Sequence, residues 1–186
     1  MTGDEATLHV IGALNSSNIP YMLVGSLSSN YWGIPRSTLD ADFVVDLGSH
    51  SLKALIEPLG PQFKLDPQMS FETVTGTKRN IIAVGGTEYK IELFRVSDAP
   101  YDRERFRRRK PATFVGQPTF VASAEDVIVT KLQWAHEAKR NKDIDDVQNV
   151  IAVQANHIDW DYVNQWCDRH GTRSLLDEIR ASIPPI

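Results

Sequence analysis

Two aspartates at alternate positions of one apolar segment constrain the fold more than any other feature. The segment is DADFVVDL, from Asp40 to Leu47, and its aromatic and β-branched residues predict a strand. Side chains at positions i and i+2 of a strand share a face, so Asp40 and Asp42 lie side by side. Phe43 and Val45 then point to a core. The other face must therefore hold two close negative charges, which requires that one is protonated or that a cation lies between them.

The residues around this strand predict alternating strands and helices. Amphipathic spacing and breakers such as Pro20, Gly33 and Pro35 delimit them. A strand is expected at Tyr21–Val24, and helices are expected at Glu5–Asn15, Ser26–Trp32 and Ser51–Leu59.

The pattern changes in the middle of the chain and again near residue 123. Residues 71–96 hold β-branched and aromatic runs broken at Gly76 and Gly85-Gly86, which predicts a meander of antiparallel strands. A tight hairpin is expected around Gly116. Helices are then expected from Ser123, Asn141, Asp159 and Thr172.

These elements predict an α/β (α+β) fold in which helices flank a mixed β-sheet and the C-terminal half is helical. Residues 1–122 are expected to form the α/β region. Residues 123–186 are expected to form a helical region packed on it, in a single compact unit, because 186 residues suit one domain.

The cysteine content, the N-terminal residues and the apolar stretches indicate the cellular compartment. Cys167 is the only cysteine, so an internal disulfide is excluded. Asp4 and Glu5 stand where a secretion signal carries positive charge, and no stretch reaches the length of a membrane span. A cytoplasmic protein with no membrane partner is expected, and its net charge of −4 means that nucleic acid would need a local basic patch.

The acidic face allows two interpretations. Asp40 and Asp42 are a donor pair for Mg²⁺, which takes oxygen ligands from one or two carboxylates and from substrate phosphates. Alternatively, Asp40 lies in a solvated loop and only Asp42 enters the strand. Glu92, in the meander, would complete a three-carboxylate cluster if its strand lies beside that of Asp42. Otherwise it belongs to a solvated face with Lys90.

Gly25 and Ser26 follow the first strand and open a helix. Glycine lets the backbone approach a ligand closely, and a helix N-terminus favours a phosphate. The same pair is also an ordinary turn and cap.

Lys131 lies on the apolar face of the helix that starts at Ser123, at helical spacing from Val127 and Trp134. An ammonium group there needs water or a negative partner. A triphosphate is one candidate, and Asp143 or Asp146 on the next helix is another. Those aspartates also suit a plain helix N-terminus.

The run RERFRRRK, residues 103–110, is the most basic stretch. It is either a solvated helix or a contact for an RNA backbone through Arg107, Arg108 and Arg109.

Two stretches together carry a family resemblance. The apolar strand, Gly-Ser and GIPRSTLDADFVV, followed later by SAEDVIVTKLQWAHEAKRNKDIDDV, resemble the nucleotidyltransferase superfamily of the DNA polymerase β type. The pattern is most similar to bacterial abortive-infection and toxin-antitoxin nucleotidyltransferases. The resemblance implies that Mg²⁺, as one or two ions, binds to Asp40 and Asp42, with Glu92 in place of a usual aspartate. It also implies that the triphosphate is held by Gly25, Ser26, Arg36, Thr38 and Lys131, and that Lys131 and Asp143 are catalytic or position the substrate. From its place on the next helix, Asp146 is expected to hold Lys131 or Lys142 in position.

The implied activity is transfer of a nucleoside monophosphate from an NTP to an acceptor hydroxyl. By resemblance the acceptor is RNA, tRNA in particular, and a cognate antitoxin protein is a possible partner. The alternatives are transfer to a small molecule such as an antibiotic, and a non-catalytic relative that binds nucleotide or protein.

Overall fold

A computed structural model describes residues 1–72, 74 and 76–183 of the chain. Within those residues, eight strands form one mixed sheet. They are β1 (Tyr21–Val24), β2 (Asp40–Val45), β3 (Phe63–Leu65), β4 (Ser70–Glu72), β5 (Thr77–Val84), β6 (Lys90–Arg95), β7 (Lys110–Phe114) and β8 (Gln117–Val121).

Helices flank the sheet and form most of the chain after residue 123. They are α1 (Gly3–Ser16), α2 (Gly25–Trp32), α3 (Leu52–Ile56), α4 (Pro100–Arg107), α5 (Ala124–Ala138), α6 (Asn141–Gln154), α7 (Trp160–His170) and α8 (Arg173–Ser182). No helix among the described residues is long and apolar enough to cross a lipid bilayer.

The strand order places the acidic strand at the centre of the sheet. The order is β3-β5-β6-β2-β1-β8-β7, and β4 also pairs with β5. β2 is antiparallel to β1 and parallel to β6. Residues 42–45 of β2 therefore have partners in both β1 and β6, whereas Asp40 and Ala41 pair with β6 alone.

Two apolar cores cover the two faces of the sheet. Phe43 and Val45 of β2 belong to the core beneath α1 and α3. Val44 belongs to the core beneath α5 to α8. Asp40, Asp42 and Val44 share one face of β2. Val44 is packed in this second core, so the two aspartates lie at the edge of a buried surface.

The structure confirms the predicted α/β fold class with a mixed sheet and a helical second half. The predicted meander is antiparallel along β4, β5 and β6, although residues 73 and 75 lie outside the described residues. So do residues 184–186 of the predicted helical region. The division of the chain at residue 122 stays a prediction.

Element boundaries differ where local capping decides them. The first helix starts earlier than predicted because Thr2 and Glu5 form a capping box, in which each residue's backbone N–H donates to the other's side chain. The third helix tightens into a 3₁₀ turn at Glu57–Leu59, since Pro58 cannot donate the next helical hydrogen bond.

Candidate active site

A cavity of about 190 Å³ lies between the sheet and α5. Its floor is formed by alternate residues of three neighbouring strands, because period-2 alternation directs them to one face. Its roof is one face of α5. The floor comprises Asp40, Asp42 and Val44 of β2, Glu92 and Phe94 of β6 and Arg79 of β5, and the roof comprises Val127, Thr130, Lys131 and Trp134.

Three carboxylates meet on the cavity floor. Asp42 pairs directly with Glu92 in the parallel register between β2 and β6, and Asp40 lies two residues before Asp42 on the same face. Burial raises the pKa of Asp42 to about 7, and the neighbouring charges of Asp40 and Glu92 add to this shift. The structure therefore brings together the three acids that the sequence selected, and it places them where a cation is favourable.

Gly25 is required at its position by the acid beneath it. Its φ is +60°, in the left-handed region, where glycine has no steric cost. A Cβ on Gly25 would overlap the Asp42 carboxylate. The turn after β1 therefore has to be glycine to leave room for the carboxylate, a reason different from the close ligand approach that the sequence suggested.

Ser26 and Arg36 meet at the start of α2. The hydroxyl of Ser26, which is 6% exposed, accepts a hydrogen bond of 3.1 Å from Arg36 Nη2. Thr38 donates its hydroxyl hydrogen to Asp40. The backbone N–H groups of the first turn of α2 thus lie beside an arginine, which suits an anion. They also lie next to the acidic strand, so an anion there would need a cation between it and the carboxylates.

Lys131 is buried between two aspartates of α6. Its Nζ lies 2.8 Å from Asp143 Oδ1 and 2.8 Å from Asp146 Oδ2. Asp143 also lies 3.0 Å from Arg140 Nε. The sequence allowed either a triphosphate or the α6 aspartates as the negative partner of Lys131. In the structure both Asp143 and Asp146 contact it.

Asp146 connects this lysine to the turn at the start of α2. Arg36 donates to both oxygens of Asp146, at 2.7 Å from Nε and 2.8 Å from Nη2. Burial alone would raise the pKa of Asp146, but the hydrogen bonds from Arg36 and Lys131 hold it below its ordinary value. A chain of one hydrogen bond and two ion pairs therefore runs from Ser26 through Arg36 and Asp146 to Lys131.

The carboxylates suit a hard divalent cation. Mg²⁺ takes one or two carboxylates and completes its octahedron with water and phosphate oxygens, and Asp40 with Asp42 supplies that pair. Glu92 is engaged elsewhere, since Arg79 Nη1 lies 3.2 Å from its Oε2. Within the described ranges no three His, Cys, Asp or Glu side chains form a ready-made metal cluster. Asp40 and Asp42 fit the ion, and Glu92 would have to leave Arg79 to join them.

The basic run folds into internal contacts. Arg108 stacks 3.8 Å above the ring of Tyr162 and faces Glu125 at 3.4 Å. Arg109 lies 4.6 Å above the ring of Phe106. Arg107, whose side chain is 73% exposed, pairs with Glu104 at 2.7 Å. The structure does not bring these arginines together as a free basic surface, and RNA contact at this run stays a prediction.

Several residues that line the cavity escaped the sequence analysis. They are Arg79, Phe94, Arg105 and Arg140. The position of Arg79 could have been predicted from the sequence. If residues 77–95 fold as a hairpin about Gly85-Gly86, Arg79 lies diagonally across from Glu92 on the same face of the sheet. Arg105 pairs with Asp102, three residues before it on α4, but no local pattern indicates that it reaches Thr130 and the cavity.

The central acidic strand, the Gly-Ser turn and the covering helices define a nucleotidyltransferase fold. ANT(2'')-Ia, solved in complex with adenylyl-2''-tobramycin, has a TM-score of 0.66 at 15% identity, over 94% of this chain and 99% of that chain. JHP933 from Helicobacter pylori has a TM-score of 0.52 at 17% identity, over 96% and 80% of the two chains.

A nucleotidyltransferase-like antigenic protein from Paracoccidioides brasiliensis also has a TM-score of 0.52 at 17% identity, over 96% and 93% of the two chains. The chain matches no protein-family model, and no curated protein matches its sequence. The predicted resemblance is thus confirmed at the level of the nucleotidyltransferase fold.

Proposed function

We propose that this protein is a Mg²⁺-dependent nucleotidyltransferase that moves a nucleoside monophosphate from an NTP to an acceptor hydroxyl. One observation carries the proposal: Asp40 and Asp42, the Ser26 turn and Lys131 surround a single cavity although they come from three separate elements. Their chemistry is that needed to hold and activate a triphosphate.

The phosphate end of the substrate is assigned to the start of α2. Free N–H groups of the first turn and the Ser26 hydroxyl are donors for the β and γ phosphates. The Arg36 guanidinium, which lines a neighbouring cavity with Thr38, adds positive charge behind Ser26. Gly25 keeps this turn close to Asp42, and Thr38 orients Asp40. These residues bind and orient the leaving pyrophosphate.

Asp40 and Asp42 would hold Mg²⁺ as one or two ions, with Glu92 as a further ligand. The ion supplies Lewis-acid stabilisation of the charge on the phosphates. The charge balance of the cavity supports this role, since its described lining contains as many acids as bases. A triphosphate needs additional positive charge there. The acids are Asp40, Asp42, Glu92, Asp126 and Asp143, and the bases are Arg79, Arg105, Lys131, Arg140 and Lys142.

Lys131 is the cation placed to stabilise charge that develops on the transferred phosphoryl group. Asp143 and Asp146 hold its ammonium group at a fixed position, and preorganised charge of this kind needs no rearrangement during the reaction. In the transfer, the acceptor oxygen forms a bond to the α-phosphorus and the bond to the pyrophosphate oxygen breaks. The hydroxyl proton leaves to solvent by way of Glu92.

For the acceptor we propose RNA, tRNA in particular, on the strength of the toxin-like signature in the sequence, with a cognate antitoxin as a possible partner. A small hydroxylated molecule is the second candidate. It is favoured by the similarity over nearly the whole length of both chains to ANT(2'')-Ia, an antibiotic-resistance factor.

The test is metal-dependent transfer of label from α-labelled NTPs to total RNA or to small hydroxyl compounds. Asp42→Asn should abolish both labelling and pyrophosphate release. Asp46→Asn is the matched control, because it removes an acid from the end of the same segment where Asp46 pairs with Arg103, away from the residues that line the cavity. If the wild type binds NTP and labels no acceptor, the protein is a non-catalytic nucleotide-binding relative and the proposal is wrong.

A further inference from the structure

The side of the cavity opposite the phosphate turn is where the acceptor has to enter. Phosphoryl transfer places the attacking and leaving oxygens roughly in line. The start of α2 follows β1 and holds the leaving pyrophosphate in the proposed function, and the sheet order from there is β1, β2, β6, β5. With the reacting phosphorus above Asp40 and Asp42 of β2, the acceptor approaches over β6 and β5.

An ion pair occupies this acceptor side. Arg79 of β5 lies diagonally across from Glu92 of β6, with Nη1 3.2 Å from Oε2. Arg79 Nε also donates to the Ser70 hydroxyl at 3.0 Å, which fixes the guanidinium from the β4 side. The Arg79 side chain is 31% exposed and that of Glu92 is 16% exposed, and both line the cavity.

The two members of this pair have different fates during transfer. Glu92 is the carboxylate nearest the acceptor hydroxyl, and contact with that hydroxyl or with Mg²⁺ draws it from Arg79. Arginine cannot lose its proton, and the Ser70 hydroxyl offers no charge. Arg79 then faces the entering molecule as a cation that lacks its counter-ion, and an anionic group of that molecule is its natural partner.

We infer that Arg79 is a specificity-determining residue that selects an acceptor carrying a phosphate or carboxylate close to the reacting hydroxyl. This inference rests on the proposed function and narrows its substrate class. The terminal phosphodiester of an RNA and a phosphorylated small molecule share this chemistry. A polycationic amino sugar lacks it and would be repelled by Arg79.

Binding provides a test that is independent of turnover. Two labelled RNA oligonucleotides are compared. One has a phosphodiester as its terminal linkage, and the other has an uncharged methylphosphonate at the same place. Their binding is measured by fluorescence anisotropy in the presence of a non-hydrolysable NTP and Mg²⁺. Wild type should bind the charged form about tenfold more tightly, the ordinary magnitude for a charge-assisted hydrogen bond. Arg79→Gln should remove the difference, and Arg79→Lys should restore part of it.

Lys78→Gln is the matched control. Lys78 is the exposed neighbour of Arg79 on the same strand, and its side chain points to the opposite face. The control should keep the preference of the wild type, because it removes one positive charge without touching the cavity. Loss of the preference in Lys78→Gln would show a general charge effect and would overturn the inference.

Transfer assays distinguish an RNA acceptor from a phosphorylated small molecule. They also distinguish failure of the Arg79 inference from failure of the proposed function. Label transfer is measured to the oligonucleotide pair, to ribose 5-phosphate against ribose, and to kanamycin. A preference for either phosphorylated member that Arg79→Gln abolishes supports the inference and identifies the source. Equal transfer within both pairs, or transfer to kanamycin, overturns it while the proposed function stands. Absence of transfer to any acceptor by wild type overturns both.

Discussion

Lys131 Nζ lies 2.8 Å from Asp143 Oδ1, in a contact that joins the roof of the cavity to the first turn of α6. Lys131 is 6% exposed and Asp143 is 1% exposed. Such a pair has little net effect on stability when intact, but removal of one member leaves an uncompensated buried charge. The pair therefore couples the integrity of the helical half to the charge of the cavity.

Replacement of Lys131 by methionine is expected to lower both stability and activity. Asp143 would keep only Arg140 and Asp146 would keep only Arg36 as a cationic partner, so the loss of Lys131 should cost about 1.5–3 kcal/mol of unfolding free energy, to be measured by urea denaturation. Lys131→Met with Asp143→Asn should recover part of this stability and none of the transfer activity. Full recovery of activity in the double variant would contradict the role of Lys131 in charge stabilisation.

Gly25→Ala tests the steric link between the turn and the acidic strand. Alanine is strained at a φ of +60°, and its Cβ would also overlap the Asp42 carboxylate. We expect a loss of roughly 2–4 kcal/mol in the unfolding free energy, the sum of backbone strain and overpacking.

The Asp42→Ala background isolates the steric part. Without that carboxylate only the backbone strain remains. The loss of unfolding free energy caused by Gly25→Ala should therefore be smaller by at least about 1 kcal/mol in the Asp42→Ala background than in the wild type. Equal costs in both backgrounds would show that Gly25 serves the backbone alone.

Asp42 predicts a pH-dependent stability of the metal-free protein. Its pKa is about 7 in the fold against an ordinary value of 3.8, so the folded state retains a proton that the unfolded state loses. Stability should therefore be fully present below about pH 4 for this group and should fall as the pH rises through 7. The loss is roughly 4 kcal/mol in total.

Asp42→Asn should flatten that slope, because asparagine has no proton to lose. Thermal unfolding between pH 5 and 8 in EDTA is the measurement. The Asp46→Asn control should keep the slope of the wild type. An unchanged slope in Asp42→Asn would mean that other groups control the pH dependence.

The arginines of the basic run are expected to separate into binding and structural roles. Arg108→Gln should lower the unfolding free energy by about 1–3 kcal/mol, because the contacts with Tyr162 and Glu125 are lost from a largely buried site. Arg107→Gln should change stability by less than about 0.5 kcal/mol, as exposed positions do.

Nucleotidyl transfer to RNA, measured with Arg107→Gln at several salt concentrations, tests whether the basic run contacts RNA. If the run contacts RNA, Arg107→Gln weakens transfer and reduces its salt dependence while the protein remains as stable as the wild type. Unchanged salt dependence in this variant would remove the run from the RNA-contact hypothesis.

The sequence predicted the local part of the site better than its long-range contacts. Alternation in β2 encodes the shared face of Asp40 and Asp42, and turn chemistry encodes the start of α2, so both were recoverable. The contact between Arg36 and Asp146 spans 110 positions, and no local pattern encodes it. The basic run illustrates the same limit, because Tyr162 and Glu125, the partners of Arg108, lie far from it in the chain.

Strand register, described above for β2 and β6, also limits how the chain can vary in length. Glu92 faces the cavity only because it is opposite Asp42, and a slip of one position would exchange it for a core residue such as Leu93. The turn about Gly85-Gly86 joins β5 to β6 and acts as a spacer for that alignment. Gly86 in this turn has a φ of +78° and Tyr89 at its end is buried, so the fold constrains the turn, and a one-residue shift of β6 against β2 would erase the third acid without altering a single letter of the reactive strands.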